Sequence, residues 1–167
     1  MGGRPVSNVT KPAVYVVDTH ALVWFLRGEV HKMGLSALFC MLHPRLRLIV
    51  PSYALEEVHR KFGPTMQAGE ILVPPSALLR LLLKCSNVRI LNRGAAVLAR
   101  EFQLKRQQRT NRIPDQDIPI AASVLAVQQH YEGKTVLLSG DSALKSWGVL
   151  NGITVIWNQR PVEGLPM

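Results

Sequence analysis

Cysteine, acidic side chains and long apolar runs are all scarce in this 167-residue chain, and each scarcity removes a class of protein. The two cysteines, Cys40 and Cys85, stand far apart with no Cys-x-x-Cys pair and no Cys/His cluster, so neither a disulfide framework nor a zinc site is suggested. A reduced cytosol fits that usage. The longest apolar stretches, such as SALLRLLL at 76 to 83, fall short of the ~18 residues a spanning helix needs and carry an arginine. MGGRPVSNVTKPA at the start lacks the apolar segment of a secretory signal. No membrane segment and a cytoplasmic location are therefore expected.

Eleven Asp and Glu face twenty Lys and Arg, for a net charge of +9. Such an excess favours polyanionic partners through attraction and counterion release, and nucleic acid is the obvious candidate. On charge alone, a merely basic soluble protein is an equally good account. With 47% hydrophobic residues the chain can bury a core of ordinary size, most economically as one domain.

Short β-branched runs alternate with longer helical patterns, the signature of an α/β fold in which a parallel sheet is flanked by helices. The expected strands are 13 to 17, 46 to 50, 88 to 91, 135 to 139 and 153 to 157, each nearly continuously apolar, as strands covered on both faces should be. Helices are expected near 19 to 27, 34 to 43, 52 to 62, 75 to 84, 93 to 103, 116 to 130 and 141 to 147. Ser52 reads as an N-cap, and Gly63, Gly133 and Gly148 read as left-handed residues ending helices. A poorly ordered leader over 1 to 12, a folded domain over 13 to 160, a tail over 161 to 167 and one basic loop, QLKRQQRTNRIPDQD at 103 to 117, complete the expected organisation.

The few carboxylates fall at telling places. Asp18 ends the first strand, Asp141 follows the fourth, Asp115 and Asp117 open a helix, and Glu56 and Glu57 lie in the helix after the second strand. In an open α/β sheet the carboxyl ends of the strands face the common ligand crevice. Acids converging there repel each other unless cations neutralise them, and hard oxygen donors select Mg²⁺ or Mn²⁺. Ions held in this way can activate water and stabilise a phosphodiester during its hydrolysis. Taken singly, each acid has a plainer explanation: Asp141 as a helix cap, Asp117 as a complement to a helix dipole, Glu56 and Glu57 as solvated charges. It is the conjunction of four at matched topological positions that favours a site.

Four segments then carry a family resemblance. VYVVDTHALVWFL at 14 to 26 resembles the opening of PIN-domain proteins, in particular of VapC-type toxin ribonucleases. PSYALEEVHRKFG resembles the second motif of that family, whose register of glutamate, lysine and glycine selects Glu57, Lys61 and Gly63 over Glu56. PDQDIPIAASVLA is similar to the family's Asp-x-x-x-Ala-Ala helix, which selects Asp117 with Asp115 beside it. TVLLSGD resembles the terminal strand ending in Thr-x-Asp, with Ser139 in the threonine's place and Asp141 as the fourth acid. The resemblance spans about residues 13 to 157. It departs from the family at DQD, where Asp115 stands one residue closer to Asp117 than usual.

What the resemblance implies is a three-layer α/β/α domain with a central parallel sheet of about five strands and a metal-dependent endoribonuclease site. Asp18, Glu57, Asp117 and Asp141 would hold Mg²⁺ or Mn²⁺ directly or through water, with Thr19, Ser139 and Asp115 orienting acids or bound waters. Lys105, Arg106, Arg109 and Arg112 would bind RNA phosphates, a solvated charge run being the competing account. A small VapB-like antitoxin and a homodimer are the implied partners. His20 and His59 read as local packing or surface histidines, and Trp24 and Phe25 as core or subunit-contact residues. Two rival readings are a PIN nuclease of RNA processing without an antitoxin and a catalytically silent RNA-binding module. A phosphohydrolase with Asp18 as nucleophile ranks low, because His20 stands where a second acid is needed.

Overall fold

The central strands are the part of the chain least able to stand in water. VYVV at Val14–Val17 (β1) and TVLL at Thr135–Leu138 (β4) are buried at every residue, which requires cover on both faces of the sheet. The computed structural model describes residues 11–26, 30–62, 84 and 87–157. In it β1 and β4 lie side by side at the middle of a five-stranded, all-parallel sheet ordered β3-β2-β1-β4-β5, with β2 at Arg47–Pro51, β3 at Val88–Leu91 and β5 at Thr154–Ile156. Val14 to Val17 pair with Thr135 to Leu138 in register. The α/β class and the five-stranded parallel sheet are as the sequence implied.

Among the described residues seven α-helices surround this sheet: α1 (Thr19–Leu26), α2 (Leu35–Leu42), α3 (Ser52–Phe62), α4 (Ala95–Arg106), α5 (Gln108–Asn111), α6 (Ile118–His130) and α7 (Ser142–Leu150). Leu22, Leu48, Ile118, Ile120, Leu137 and Leu144 form the fully buried centre together with the indole of Trp147. α6 has no polar face over Ile118 to Val124, all of it buried, and it runs between α4 and the sheet. Pro119 sits in its first turn, where a missing N-H goes unfelt.

The chain from β1 goes outward to β2 and β3, then returns past β1 to start β4 on its other side. Strand order therefore reverses between β1 and β4, and a crevice opens at their carboxyl ends. Asp18 and the Ser139-Gly140-Asp141 segment are the residues that emerge there.

Several local expectations are corrected. The basic loop at 103 to 117 is largely helical: α4 continues through Lys105 and Arg106, a further turn forms α5, and Asp115–Asp117 is a 3₁₀ turn. AREFQLKRQQR contains no Gly or Pro, and two of its cations, Lys105 and Arg106, fall in the last turn of α4, where they complement the helix dipole. Gly148 lies inside α7, where a Cβ would come 2.5 Å from Val155 Cγ2 and 3.0 Å from the Ile153 carbonyl oxygen, so its role is close approach rather than termination. The left-handed glycine after α7 is Gly152, at φ +67°. α6 ends on Tyr131 in extended conformation, two residues before Gly133. Residues 1–10 of the expected leader over 1 to 12, residues 75–83 of the expected helix over 75 to 84, Gly63 and the tail lie outside the described residues, as does the side chain of Lys61.

Candidate active site

Asp18 leaves β1 with its main-chain N-H donating to the Leu138 carbonyl of β4 at 3.0 Å, which turns its side chain into the crevice. The carboxylate is 3% exposed. Its Oδ1 accepts the Thr19 N-H at 2.6 Å and its Oδ2 accepts the Ser139 hydroxyl at 2.7 Å. Ser139 Oγ in turn accepts the Asp141 N-H at 3.1 Å, so one hydroxyl ties the end of β1 to the end of β4. Burial pushes the Asp18 carboxyl above the ordinary range. The Ser139 bond, His20 and the Thr19 N-H draw it back, and the negative charge of Asp141 adds to the rise.

Asp141 also caps a helix, as its plainer reading held: its Oδ1 accepts the Leu144 N-H at 2.9 Å. Asp117 behaves differently. It stands at the N-cap of α6 yet makes no capping bond, and its Oδ2 is buried without a hydrogen-bond partner. Burial, then the charges of Asp141 and Asp18 and, more weakly, Glu57, lift its pKa to about 6, against the opposing pull of His20. These mutual influences bring all four acids to one locus. Adjacent residues of α3 divide as the motif register implied: Glu57 is 6% exposed and faces inward, while Glu56 is exposed.

No three Asp, Glu, His or Cys side chains among the described residues draw together tightly enough to cage an ion on their own. The donor set nevertheless fits a hard divalent cation. An unpartnered buried carboxylate oxygen on Asp117, an unpartnered buried hydroxyl on Thr19 and like charges that raise one another are what a cation with its water shell relieves. Mg²⁺ commonly takes only one or two protein carboxylates and completes its octahedron with water and phosphate oxygens, so a protein cage is not required.

The remaining expected residues fall in three places. Asp115 is exposed, and its Oδ1 accepts Gln108 Nε2 at 2.7 Å, which ties it to α5. Lys105 and Arg106 in the last turn of α4, Arg109 in α5, and Arg112 are exposed together on one stretch. Arg106 reaches over the Phe102 ring at 5.8 Å, and Arg112 holds the left-handed position after α5 at φ 52°. His59 is exposed on α3, and His20, also exposed, lies near enough to Asp18 and Asp117 to act on both.

Two features were missed from the sequence. Glu101, 4% exposed in α4, receives Arg93 through two bonds of 2.7 Å each, and the Arg93 N-H donates to Ser52 Oγ at 3.0 Å. This clamp fixes the approach to α4 against the start of α3, the helix that carries Glu57. Val97, Glu101 and Leu104 share one buried face, and that spacing was the available signal. The second feature is Trp157, which follows β5 and lies against Gly140 beside Asp141.

No protein-family profile matches the chain, and no curated protein sequence does. Solved structures do share its architecture. The Rickettsia felis structure of VapBC2 bound to a DNA fragment from its promoter is 14% identical, with a TM-score of 0.61 over 86% of this chain and 98% of that one. DNA-bound VapBC from Salmonella typhimurium is 13% identical, with a TM-score of 0.54 over 86% and 97%. FitAcB from Neisseria gonorrhoeae is 17% identical, with a TM-score of 0.53 over 85% and 96%. The fold is thus the PIN-like fold of these structures, in line with the resemblance drawn from the motifs.

Proposed function

We propose that the protein is a metal-dependent endoribonuclease of VapC type. The observation that carries this reading is Asp117: a half-buried carboxylate at a strand-order reversal, with one buried oxygen unpartnered and its pKa raised by burial and by the charges of three other acids, in a chain of net charge +9. An acidic, cation-accepting hole in a basic protein suits a polyanionic substrate. Asp18, Glu57, Asp117 and Asp141 would hold Mg²⁺ or Mn²⁺, in part through water, and such an ion neutralises phosphodiester charge and makes a water nucleophilic near pH 7. The chain's own residues do the rest. Ser139 fixes the orientation of Asp18, the Thr19 hydroxyl offers a further oxygen, and Asp117 is ionised at neutral pH and so ready to accept a cation or a proton. Lys105, Arg106, Arg109 and Arg112 would bear on the phosphates of the RNA.

Two of the three structural neighbours are VapBC assemblies on DNA, one of them on promoter DNA, and this supports a small VapB-like antitoxin as partner; homodimerisation of the nuclease is proposed beside it from the motif resemblance alone. That no three such side chains among the described residues lie close enough to cage an ion favours one alternative, a silent PIN-like RNA-binding module. Cleavage of RNA with Mg²⁺ or Mn²⁺, with and without EDTA, tests both. Wild type should cleave only with metal, and Asp18→Asn or Asp117→Asn should abolish the activity. Full activity in EDTA or in both variants would sink the site, and RNA binding without cleavage would favour the silent module.

A further inference from the structure

His20 and Trp24 are one helical turn apart on α1, so both side chains rise on the same face of the helix that starts at Asp18. Their ring centroids are 5.9 Å apart at 47°. Trp24 in turn lies 5.6 Å from Trp157 at 50°, so three tilted rings run in a row from one helix to the segment after β5. Both ends of the row reach the acids. His20 acts electrostatically on Asp18 and Asp117, and the indole of Trp157 covers Gly140, the residue between Ser139 and Asp141.

The row is built rather than incidental. A Cβ on Gly140 would meet the Trp157 ring at 2.7 Å, so only glycine lets the indole lie this close to the strand end. The Trp157 carbonyl accepts the Ala37 N-H at 3.2 Å at the start of α2, and Gly34 leaves room for it. Nor is it core. Trp147, the packing tryptophan, is 1% exposed, whereas Trp24 and Trp157 are half-buried and His20 is exposed.

Cations beside a nuclease site hold phosphates without reading bases, while flat rings bind unpaired bases by stacking. Accepting the nuclease reading above, we propose that His20, Trp24 and Trp157 form a ledge on which an unpaired base of single-stranded RNA stacks next to the acidic cluster. The ledge makes the site selective for unpaired strands, because a paired base has no free face to offer it.

The test uses the full chain in EDTA at low salt, so that the RNA stays intact, and follows tryptophan emission as a short oligouridylate or its abasic counterpart is added. The base-bearing strand should quench the emission. Trp24→Leu and Trp157→Leu should each weaken its binding about tenfold, a typical loss for one stacked base, while Trp24→Phe keeps most of it. Binding of the abasic strand should be the same in all four proteins. Gly140→Ala, which displaces the Trp157 ring without removing it, serves if a leucine variant fails to fold, and should reproduce the selective loss. No quenching, or equal losses for both strands, overturns the ledge. Metal-dependent cleavage with unaffected stacking variants would leave the nuclease reading standing without the ledge. Base-dependent quenching in a protein that never cleaves would leave the ledge and remove the nuclease.

Discussion

The Ser139 hydroxyl donates to Asp18 Oδ2 at 2.7 Å across 121 positions of sequence, and this bond opposes the burial that holds the Asp18 carboxyl above its ordinary range. Ser139→Ala should therefore push that carboxyl higher still. Since catalysis needs the ionised form, the rising limb of the pH profile of cleavage should move to higher pH. The variant should also lose about 1 to 3 kcal/mol of stability, because a buried carboxylate oxygen loses its donor. Ser139→Thr should restore both. An unmoved pH profile in Ser139→Ala would show that the bond does not tune Asp18.

Asp117 gives a pH dependence of the opposite sign to that of an ordinary salt-bridged acid. Its folded pKa, about 6, lies above the ordinary aspartate value of 3.8 that the unfolded chain keeps. Between those values the folded protein keeps a proton that the unfolded chain releases, so stability rises as pH falls through the window and the full penalty stands above pH 6. Metal-free protein should melt at a higher temperature at pH 5 than at pH 7.5 as far as this group decides, and Asp117→Asn should flatten the difference. Mg²⁺ should stabilise chiefly above pH 6, by about 1.4 kcal/mol at ten times its Kd. Calorimetry at the two pH values, with and without Mg²⁺, reads all three.

Asp141 carries two roles that one pair of variants separates. Its Oδ1 caps α7 through the Leu144 N-H, a bond that asparagine can also accept and alanine cannot. Asp141→Asn and Asp141→Ala should both lose metal-dependent cleavage. Only the alanine variant should lose about 1 kcal/mol of stability. Equal stability in urea melts would mean that the cap is idle.

The acids were legible in the sequence because each sits at a place that topology fixes. Strand ends and first helical turns converge by the rule of parallel sheets, so Asp18, Asp141 and one of Asp115 and Asp117 could be placed from periodicity, while the choice of Asp117 came from the motif. The choice of Glu57 over Glu56 came from motif register, and burial of one and exposure of the other agree with it. What stayed illegible depended on tertiary contact. Glu101 looked like any helix charge until Arg93 was seen to reach it, and the Trp157 indole could not be linked to Gly140 from a separation of 17 positions. The basic stretch was misread as a loop because charge outweighed its helix-forming composition.

That stretch yields the last prediction. Arg112 occupies a left-handed conformation at φ 52°, which penalises a side chain with a Cβ by about 1 to 2 kcal/mol and glycine hardly at all. Arg112→Gly should thus stabilise the fold by up to about 1 kcal/mol while removing one cation from the proposed phosphate track. If the track binds RNA, the variant should bind it more weakly despite being more stable, and the slope of log K against log salt should shrink by about 0.7, the value for one phosphate contact on a single strand. Extending the change to Lys105, Arg106 and Arg109 as glutamines should lower the slope step by step. A slope that stays constant through the series would mean that these cations are a solvated face and that RNA approaches the acids from another side.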